Sequence, residues 1–161
     1  MIKCRVDIIN ILISDRDEWD RWRYSSERYD VKFKGIDFSG YDLHRRDLRG
    51  CKFIQCNFDE SDIRECQFTD STFKRCTFRE ARMNDVQFTE VSMKKCILSS
   101  DENIKVDISG SILDKVEMKF TTKTEIDFSR STIRNSILDV DKELLKWVML
   151  IENTKLVTSR Y

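Results

Sequence analysis

The sequence predicts a solenoid, a fold in which short units of chain stack along one axis, over residues 31–138. The first observation behind this prediction is a period of five residues in the apolar side chains. Counting in fives from Phe33 to Leu138, 20 of 22 positions are apolar, where a 40% hydrophobic composition would give about nine by chance. Nine of the ten phenylalanines lie in this frame. One such unit cannot bury its own apolar face, whereas stacked units share a continuous core.

Two further observations concern the residues beside each apolar centre. Two residues before a centre, the side chain is usually small or β-branched, as in Val31, Ile36, Cys51, Ser61 and Ala81. All four glycines, at positions 35, 40, 50 and 110, follow a centre by two residues. Glycine there indicates a turn whose backbone adopts a positive φ. Each five-residue unit is therefore expected to turn two side chains inward and to end in a turn.

This pattern, as in GIDFSGYDLHRRDLRGCKF, resembles the pentapeptide-repeat family, whose consensus is A-(D/N)-L-x-x. The resemblance covers residues 31–138. It implies an all-β solenoid: a right-handed quadrilateral parallel β-helix with four pentapeptides per coil and short helical caps. Successive coils would then lie about 4.8 Å apart, like paired strands. Residues twenty apart would stack on the same face.

Residues 1–30 are predicted to cap the first coil, because an open solenoid end exposes strand edges. Val6–Ile8 and Ile11–Ile13 continue the five-residue frame and are expected to start the β-helix or to pair with it. The segment SDRDEWDRWRYSSERY is then expected to form a short helix with Ser14 as its N-cap.

Residues 139–161 are predicted to form a C-terminal capping helix and tail, because Asp139–Asn153 is apolar on more than one helical face. One interpretation is a plug over the last coil. The other is a plug that also forms a homodimer contact, which the dimer-forming C-terminal elements of some relatives favour. Both use the same apolar residues: Leu144, Leu145, Trp147, Val148 and Ile151.

The sequence carries little that indicates catalysis. Its only histidine is His44, and it has no phosphate-binding loop, H-E-x-x-H motif or EF-hand pattern. A single histidine rules out metal sites built from several histidines and leaves a catalytic triad without support. We therefore expect no enzyme, no catalytic residue, no cofactor and no metal site.

The cysteines follow the repeat rather than a metal-binding spacing. Five of the six, at positions 51, 56, 66, 76 and 96, occupy the inward slot two residues before a centre. Cysteine is small and readily buried, so packing explains this placement. An alternative stays open, because Cys56, Cys76 and Cys96 would stack about 4.8 Å apart, near the range of a disulfide.

Stacking at intervals of twenty residues predicts that the first face of the prism is strongly basic. This face, the basic wall, has nine basic residues and, of the acidic ones, only Asp114; the other three faces are mildly acidic. We take it as a candidate partner-binding surface, although a solvated face that discourages strand pairing is an alternative. The nine residues are Lys32, Lys34, Lys52, Lys74, Arg75, Lys94, Lys95, Lys115 and Arg134.

The five-residue frame breaks at Asn103 and Lys123, which are twenty residues apart and so interrupt the same face. The chain is expected to bulge at both positions. Phe120, the one phenylalanine outside the frame, would lie beside them. Two interpretations stay open: Phe120 is an exposed partner contact together with Asn103 and Lys123, or it folds inward and fills the gap left by Lys123.

These features favour a non-catalytic interaction protein that binds a protein partner through charged faces, with a protective or immunity-type role against a toxin. The family resemblance suggests an alternative, a protector that binds DNA gyrase as quinolone-resistance proteins do. Nucleic-acid binding along the basic wall is a further alternative. Asp7 and Asn10 interrupt the apolar N-terminal stretch, so no leader is expected, and a bacterial cytoplasmic location is the default.

Overall fold

The computed structural model describes residues 5–25, 30–100, 102, 104–120 and 124–157. Two helices are followed by a parallel β-solenoid of about six turns, which confirms the predicted fold class. Neither described helix has the length and apolar character needed to cross a bilayer. The helices are α1 (Arg5–Ser14) and α2 (Arg16–Tyr24), and a short 3₁₀ helix, η1, spans Lys142–Leu145. The strands are β1 (Lys32–Lys34), β2 (Lys52–Ile54), β3 (Thr72–Lys74), β4 (Thr77–Phe78), β5 (Val86–Gln87), β6 (Ser92–Lys94), β7 (Ile97–Ser100), β8 (Ile104–Asp107), β9 (Ile112–Asp114), β10 (Glu117–Phe120), β11 (Thr124–Asp127), β12 (Thr132–Arg134), β13 (Ile137–Asp139), β14 (Leu150–Glu152) and β15 (Lys155–Leu156).

Three parallel sheets run along the solenoid, each formed by strands of successive coils. The first has the order β1-β2-β3-β6-β9-β12-β14, the second β15-β13-β10-β7-β4 and the third β11-β8-β5. A fourth face is marked by single bridges that join Asp42, Asp62 and Arg82. From β1 to β12 the register is twenty residues, as in Phe33 opposite Phe53. The sequence period therefore becomes columns of side chains.

Phenylalanine columns form the core of the first coils. Phe33, Phe53 and Phe73 stack with ring centroids 5.1 and 5.0 Å apart, nearly parallel. Phe58 and Phe78 stack in the next column at 4.7 Å. Rings of neighbouring columns meet edge to face, as Phe53 and Phe58 do at 74°. Both arrangements are favourable for aromatic rings, so each coil contributes contacts above, below and beside itself.

The turn predicted two residues after each centre is confirmed. The four glycines there have φ between 62° and 67°, and most non-glycine residues at the equivalent positions also have positive φ. Side chains cost about 1 kcal/mol or more in this left-handed region. Hydrogen bonds between coils compensate, because the turn N–H of Gln55, Arg75 and Lys95 donates to a carbonyl of the following coil at 2.8–2.9 Å.

In its described residues the N-terminal cap consists of the helices α1 and α2, so the expected strand at Val6–Ile8 and Ile11–Ile13 is wrong. Ile8, Ile11 and Leu12 share one face of α1, and Ile11 and Leu12 are buried against the first coil. A helix is favoured over a strand here because a spacing of three and four residues places these side chains on one helical face, where they can be buried together. The N-cap of α2 is Asp15 rather than Ser14, with its carboxylate accepting from two N–H groups at 2.8 and 3.1 Å.

Buried polar contacts join this cap to the solenoid. Trp19 is fully buried and its indole N–H donates to the Asp47 carbonyl at 2.8 Å. The buried Arg23 guanidinium lies 3.7 Å from the Asp47 carboxylate and also donates to the Arg49 carbonyl. Arg49 and Tyr24 both donate to that carboxylate, at 2.7 and 2.5 Å. Burial alone would raise the pKa of Asp47, but these hydrogen bonds lower it to about 2.

The predicted C-terminal helix is wrong. Only the single turn η1 forms, and the chain then returns to the solenoid as β14 and β15, with Ile151 opposite Ile133 and Leu156 opposite Leu138. Both pairs are eighteen residues apart. The solenoid gains its strand hydrogen bonds and two aligned apolar side chains this way, which outweighs the helical propensity of an isolated segment. Leu145 is buried, Leu144 and Val148 pack partly against the core, and Trp147 and Ile151 are exposed.

The five-residue frame breaks after two four-residue strands, β7 and β10. Asn103 and Lys123 lie outside the described residues. Phe120 ends β10 and is only 5% exposed, so its expected role as an exposed partner contact is wrong. Phe120 comes two residues after the inward Met118 in an extended strand, so its side chain points to the same side, into the core.

We predict that Asp47→Ala lowers the free energy of unfolding by about 3 kcal/mol, because it leaves the Arg23 guanidinium buried without its carboxylate. The pKa of Asp47 is depressed in the folded state, so its charge stabilises the fold above pH 4. That contribution is lost as the pH falls from about 4 to about 2. Urea unfolding at neutral pH and thermal melts over that pH range measure both effects.

Asp37→Ala is the matched control, since Asp37 accepts the equivalent turn hydrogen bond, from the Ser39 N–H at 3.0 Å, but lies on the exposed surface. It is expected to cost about 1 kcal/mol or less. Equal losses for the two variants would contradict a special role for Asp47.

Candidate interaction surface

The first sheet assembles the predicted basic wall. Lys32 lies opposite Lys52, and Lys74 lies opposite Lys94, in adjacent strands of one register. The corner that comes directly after the first sheet carries one cation in each of three successive coils: Arg75, Lys95 and Lys115, all with φ of 57–58°. The nine basic residues thus lie on one face, and all are exposed.

Carboxylates neutralise part of this wall. Lys52 pairs with Asp30 at 2.7 Å, Lys94 with Asp114 at 3.1 Å and Arg134 with Glu152 at 3.3 Å. The sequence interpretation identified Asp114 but missed the other two. Asp30 precedes the first repeat, and Glu152 was assigned to a helix although it belongs to β14. After an interruption the five-residue frame resumes, with Ile151 and Leu156 as centres. That pattern could have predicted that Glu152 lies beside the wall.

A cluster in the middle of the wall forms no close ion pair with the part of the chain that the structure describes. Within the described residues, no ion pair forms at Lys74, Arg75, Lys95 or Lys115, which we call the central cluster. Lys94 lies within the same patch but shares Asp114 with the amide of Asn135. Like charges in neighbouring strands repel, so this cluster costs free energy until an anionic group approaches.

An exposed apolar side chain lies beside the central cluster. Ile112 is in β9, 54% exposed, and its neighbours across the sheet are Ser92 and Thr132. Small hydroxyl side chains on both sides leave the isoleucine accessible. The wall therefore presents an apolar contact next to several cations, a combination typical of protein interfaces.

Ion pairs neutralise charges on the fourth face, which is marked by the single bridges of residues such as Asp62. Asp62 pairs with Arg64 at 2.5 Å and with Arg82 at 3.3 Å. His44 and Arg45 both pair with Glu65, at 3.1 and 2.8 Å. The Arg45 and His44 hydrogen bonds lower the pKa of the Glu65 carboxyl to about 2. His44 thus takes part in a surface ion-pair network and has no nucleophile beside it.

The inward cysteines are free thiols buried in the core. Cys51, Cys56, Cys66, Cys76 and Cys96 are all reduced, and each is at most 2% exposed. Burial raises the pKa of Cys66 to about 12 and that of Cys51 to about 11. Within the described ranges, no group of three or more histidine, cysteine or carboxylate side chains is arranged to hold a metal ion. These thiols are therefore packing groups.

The chain is similar to a repeat region described by a family model and to several solved structures. A model of the pentapeptide repeat region matches residues 27–103. QnrB1, described as a plasmid-mediated fluoroquinolone resistance protein, is 18% identical, with 81% of this chain and 86% of that chain covered and a TM-score of 0.38. A pentapeptide repeat protein of the Arabidopsis thaliana thylakoid lumen is also 18% identical, with 72% of each chain covered and a TM-score of 0.30.

HetL, a pentapeptide repeat protein involved in heterocyst differentiation regulation in Nostoc, is 14% identical. The match covers 84% of this chain and 77% of HetL, with a TM-score of 0.25. A search of curated protein sequences finds no match. Likenesses at this level say nothing about a shared partner.

We predict that the five buried thiols resist Ellman's reagent in the native protein, because thiolate formation inside the core is unfavourable. In denaturant without reductant, all six cysteines of the chain should react. Fewer than six reactive thiols after unfolding would contradict the assignment of free thiols and would support a disulfide in the Cys56–Cys76–Cys96 column.

Proposed function

We propose, on the premise that the chain belongs to the pentapeptide-repeat family, that it is a non-catalytic protein that binds an acidic surface of a partner protein through its basic wall. Family and fold support the coarser statement, a repeat protein without catalysis. The central cluster supports the finer one. Its four cations form no ion pair with a described residue, whereas Asp62 and Glu65, on another face, are paired with arginines.

Rigidity favours binding by this surface. Lys74 lies in β3, and Arg75, Lys95 and Lys115 lie at turns whose N–H groups donate to the next coil at 2.9–3.0 Å. A partner therefore loses little free energy in ordering the backbone of the wall. Electrostatic attraction would accelerate encounter, and the exposed Ile112 would contribute apolar contact in the final complex.

A protein partner fits this surface better than nucleic acid. Single-stranded nucleic acids are bound where aromatic side chains stack on bases between cationic groups. The exposed neighbours of the central cluster include Ile112 and Ser92, and the described part of the wall presents no aromatic side chain to solvent. The strands there are three residues long and flat, so the described wall offers no element that enters a groove of duplex DNA.

Protection of DNA gyrase, the function suggested by the family resemblance, is the less favoured alternative. The family examples act through DNA-like negative charge. Here the carboxylates of Asp59, Asp62 and Glu65 are paired with arginines, which lowers the negative potential of those faces. A supercoiling assay with a quinolone separates the two functions, since the basic-wall proposal predicts no protection by micromolar protein.

Exposed apolar side chains in and beside β14 and β15 support a homodimer as a second property of the protein. Ile151 and Leu156 align with inward residues of the preceding coil, yet are 39% and 38% exposed. Met149 and Leu150 are exposed beside them. A second copy placed end to end would bury these side chains and cover the edges of β14 and β15.

We predict that replacing the central cluster with glutamine (K74Q, R75Q, K95Q and K115Q) abolishes co-purification of an acidic partner. Glutamine already occupies the equivalent turn at Gln55, so the fold should persist. The charge-matched control replaces Arg79, Lys105, Lys119 and Arg130, which lie on other faces, and should retain the partner. Bead-bound protein, salt elution and mass spectrometry measure the difference.

Equal retention by the cluster variant and the control would overturn this proposal. A mobility shift with duplex DNA at about 50 and 200 mM salt tests the nucleic-acid alternative. Binding with a steep salt dependence that the cluster variant loses would favour nucleic acid over a protein partner.

For the dimer, we predict that Ile151→Lys converts a dimer into a monomer in light scattering coupled to size exclusion, because it places a charge in the apolar contact. Ile137→Lys is the control, since Ile137 is equally exposed but lies in a strand flanked by β10 and β15. A wild-type monomer at high micromolar concentration would contradict this part of the proposal.

A further inference from the structure

A groove lies where one face of the solenoid lacks its last strand. The first and second sheets continue into β14 and β15, but within the described residues no strand follows β11 in the third sheet. The chain passes this face as η1 instead. Between β11 and η1 lies a groove of about 580 Å³. Its volume is within the range that binds ligands and peptide segments.

The edge of β11 forms one side of this groove. β11 pairs with β8 on one side only, in register from Thr124 to Asp127. Edge strands present N–H and C=O groups that an added strand can satisfy. An extended segment can therefore dock here by strand addition, in the position that β14 and β15 occupy on the other sheets.

The side chains around the groove are mainly acidic. Asp107, Glu125, Asp127 and Glu143 line it, with Lys105 as the only basic lining residue among those described. None of the four carboxylates forms an ion pair with a described residue. Lys105 lies directly opposite Glu125 in the register, but its ammonium group is 4.0 Å from Asp85. The groove thus carries uncompensated negative charge, unlike the ion-paired face of Asp62 and Glu65.

The outer wall of the groove is an exposed tryptophan. Trp147 is 72% exposed, while Leu144 beside it packs partly against the core. The ammonium group of Lys146 lies 5.7 Å from the Trp147 ring centroid, which shows that a cation can approach this ring. A tryptophan face attracts a guanidinium or ammonium group, and tryptophan is enriched among residues that dominate interfaces.

We propose that this groove binds an extended, arginine-containing segment of a partner protein, which adds as a strand to the edge of β11. Its backbone would pair with β11, its alternate arginines would meet Glu125, Asp127 and Glu143, and one guanidinium would lie against Trp147. The site is distinct from the basic wall, since it uses the third sheet rather than the first. The protein would then hold an acidic and a basic partner surface at the same time.

Fluorescence anisotropy of a labelled nonapeptide of alternating arginine and threonine tests this site at low salt. Glu125→Gln combined with Glu143→Gln should weaken binding by at least about tenfold. The control combines Glu60→Gln with Glu117→Gln, two exposed carboxylates that border the second sheet, and should change affinity less than about twofold. Both double variants change the net charge equally.

Two further changes separate the cation contact from the strand addition. Trp147→Ala should weaken binding roughly fivefold, and Trp147→Phe should restore part of it. Trp147→Ala should leave the fold intact, because the hydrogen bond from the Arg130 N–H at 3.1 Å is accepted by the Trp147 carbonyl and the ring is mostly exposed, with the Lys146 ammonium group beside it. A peptide of the same sequence with N-methyl groups on alternate residues cannot pair with β11 and should bind at least about tenfold more weakly.

Equal weakening by the groove and control double variants would overturn the proposal, because binding would then follow net charge alone. So would equal affinity for the N-methylated peptide, unchanged affinity of Trp147→Ala, or no binding of the nonapeptide. Dissociation of a dimer by Trp147→Ala in sedimentation would show that a second copy of the chain fills the groove instead.

Discussion

The stacking of identical inward positions, coil upon coil, is the interaction on which the rest of this structure depends. Phe33, Phe53 and Phe73 lie ring over ring at 5.0–5.1 Å, which is the distance between successive parallel strands. A slip of one residue would turn each inward side chain outward and lose this stacking. The aromatic core therefore determines which outward residues are neighbours. The basic wall is a consequence of core packing.

Much of the fold could be predicted from the sequence for the same reason. The inward slots at Phe53 and Cys51 repeat with one period, and a period in sequence becomes a column in a solenoid. The basic wall followed from counting in twenties, and the structure places six of its residues in the first sheet and three at the adjoining turns. The ion-pair partners of these cations could not all be predicted from the period, because Asp30 and Glu152 lie outside the regular frame.

The ends of the solenoid were predicted less well, since no repeat governs them. In α1, burial of Ile11 and Leu12 against the first coil outweighs the five-residue frame that the same residues fit. At the other end, pairing with β12 outweighs the helical pattern of residues 139–153. The groove beside β11 has no signature in the sequence at all. It exists because the last coil is two residues shorter than the others and crosses one face as η1.

This ending gives the protein two surfaces of opposite charge. The central cluster lies along the first sheet and at its turns, so the proposed binding there would use side chains alone. The acidic groove lies at a sheet edge, so in the proposed complex backbone pairing would add to its charge and to Trp147. The cysteines first suggest a reactive site. They are buried packing residues in the core that supports both surfaces.

The coil register is tested most directly by distances between nitroxide labels carried on a non-natural keto amino acid. Gln55 and Asn135 lie at the same corner four coils apart, so the labelled backbones should be separated by about 19 Å. Gln55 and Asn153 should be about 24 Å apart, one coil further, because β14 continues the first sheet. Narrow distributions that differ by one coil spacing are the predicted result. A second distance that is shorter than the first, or broad, would contradict the account.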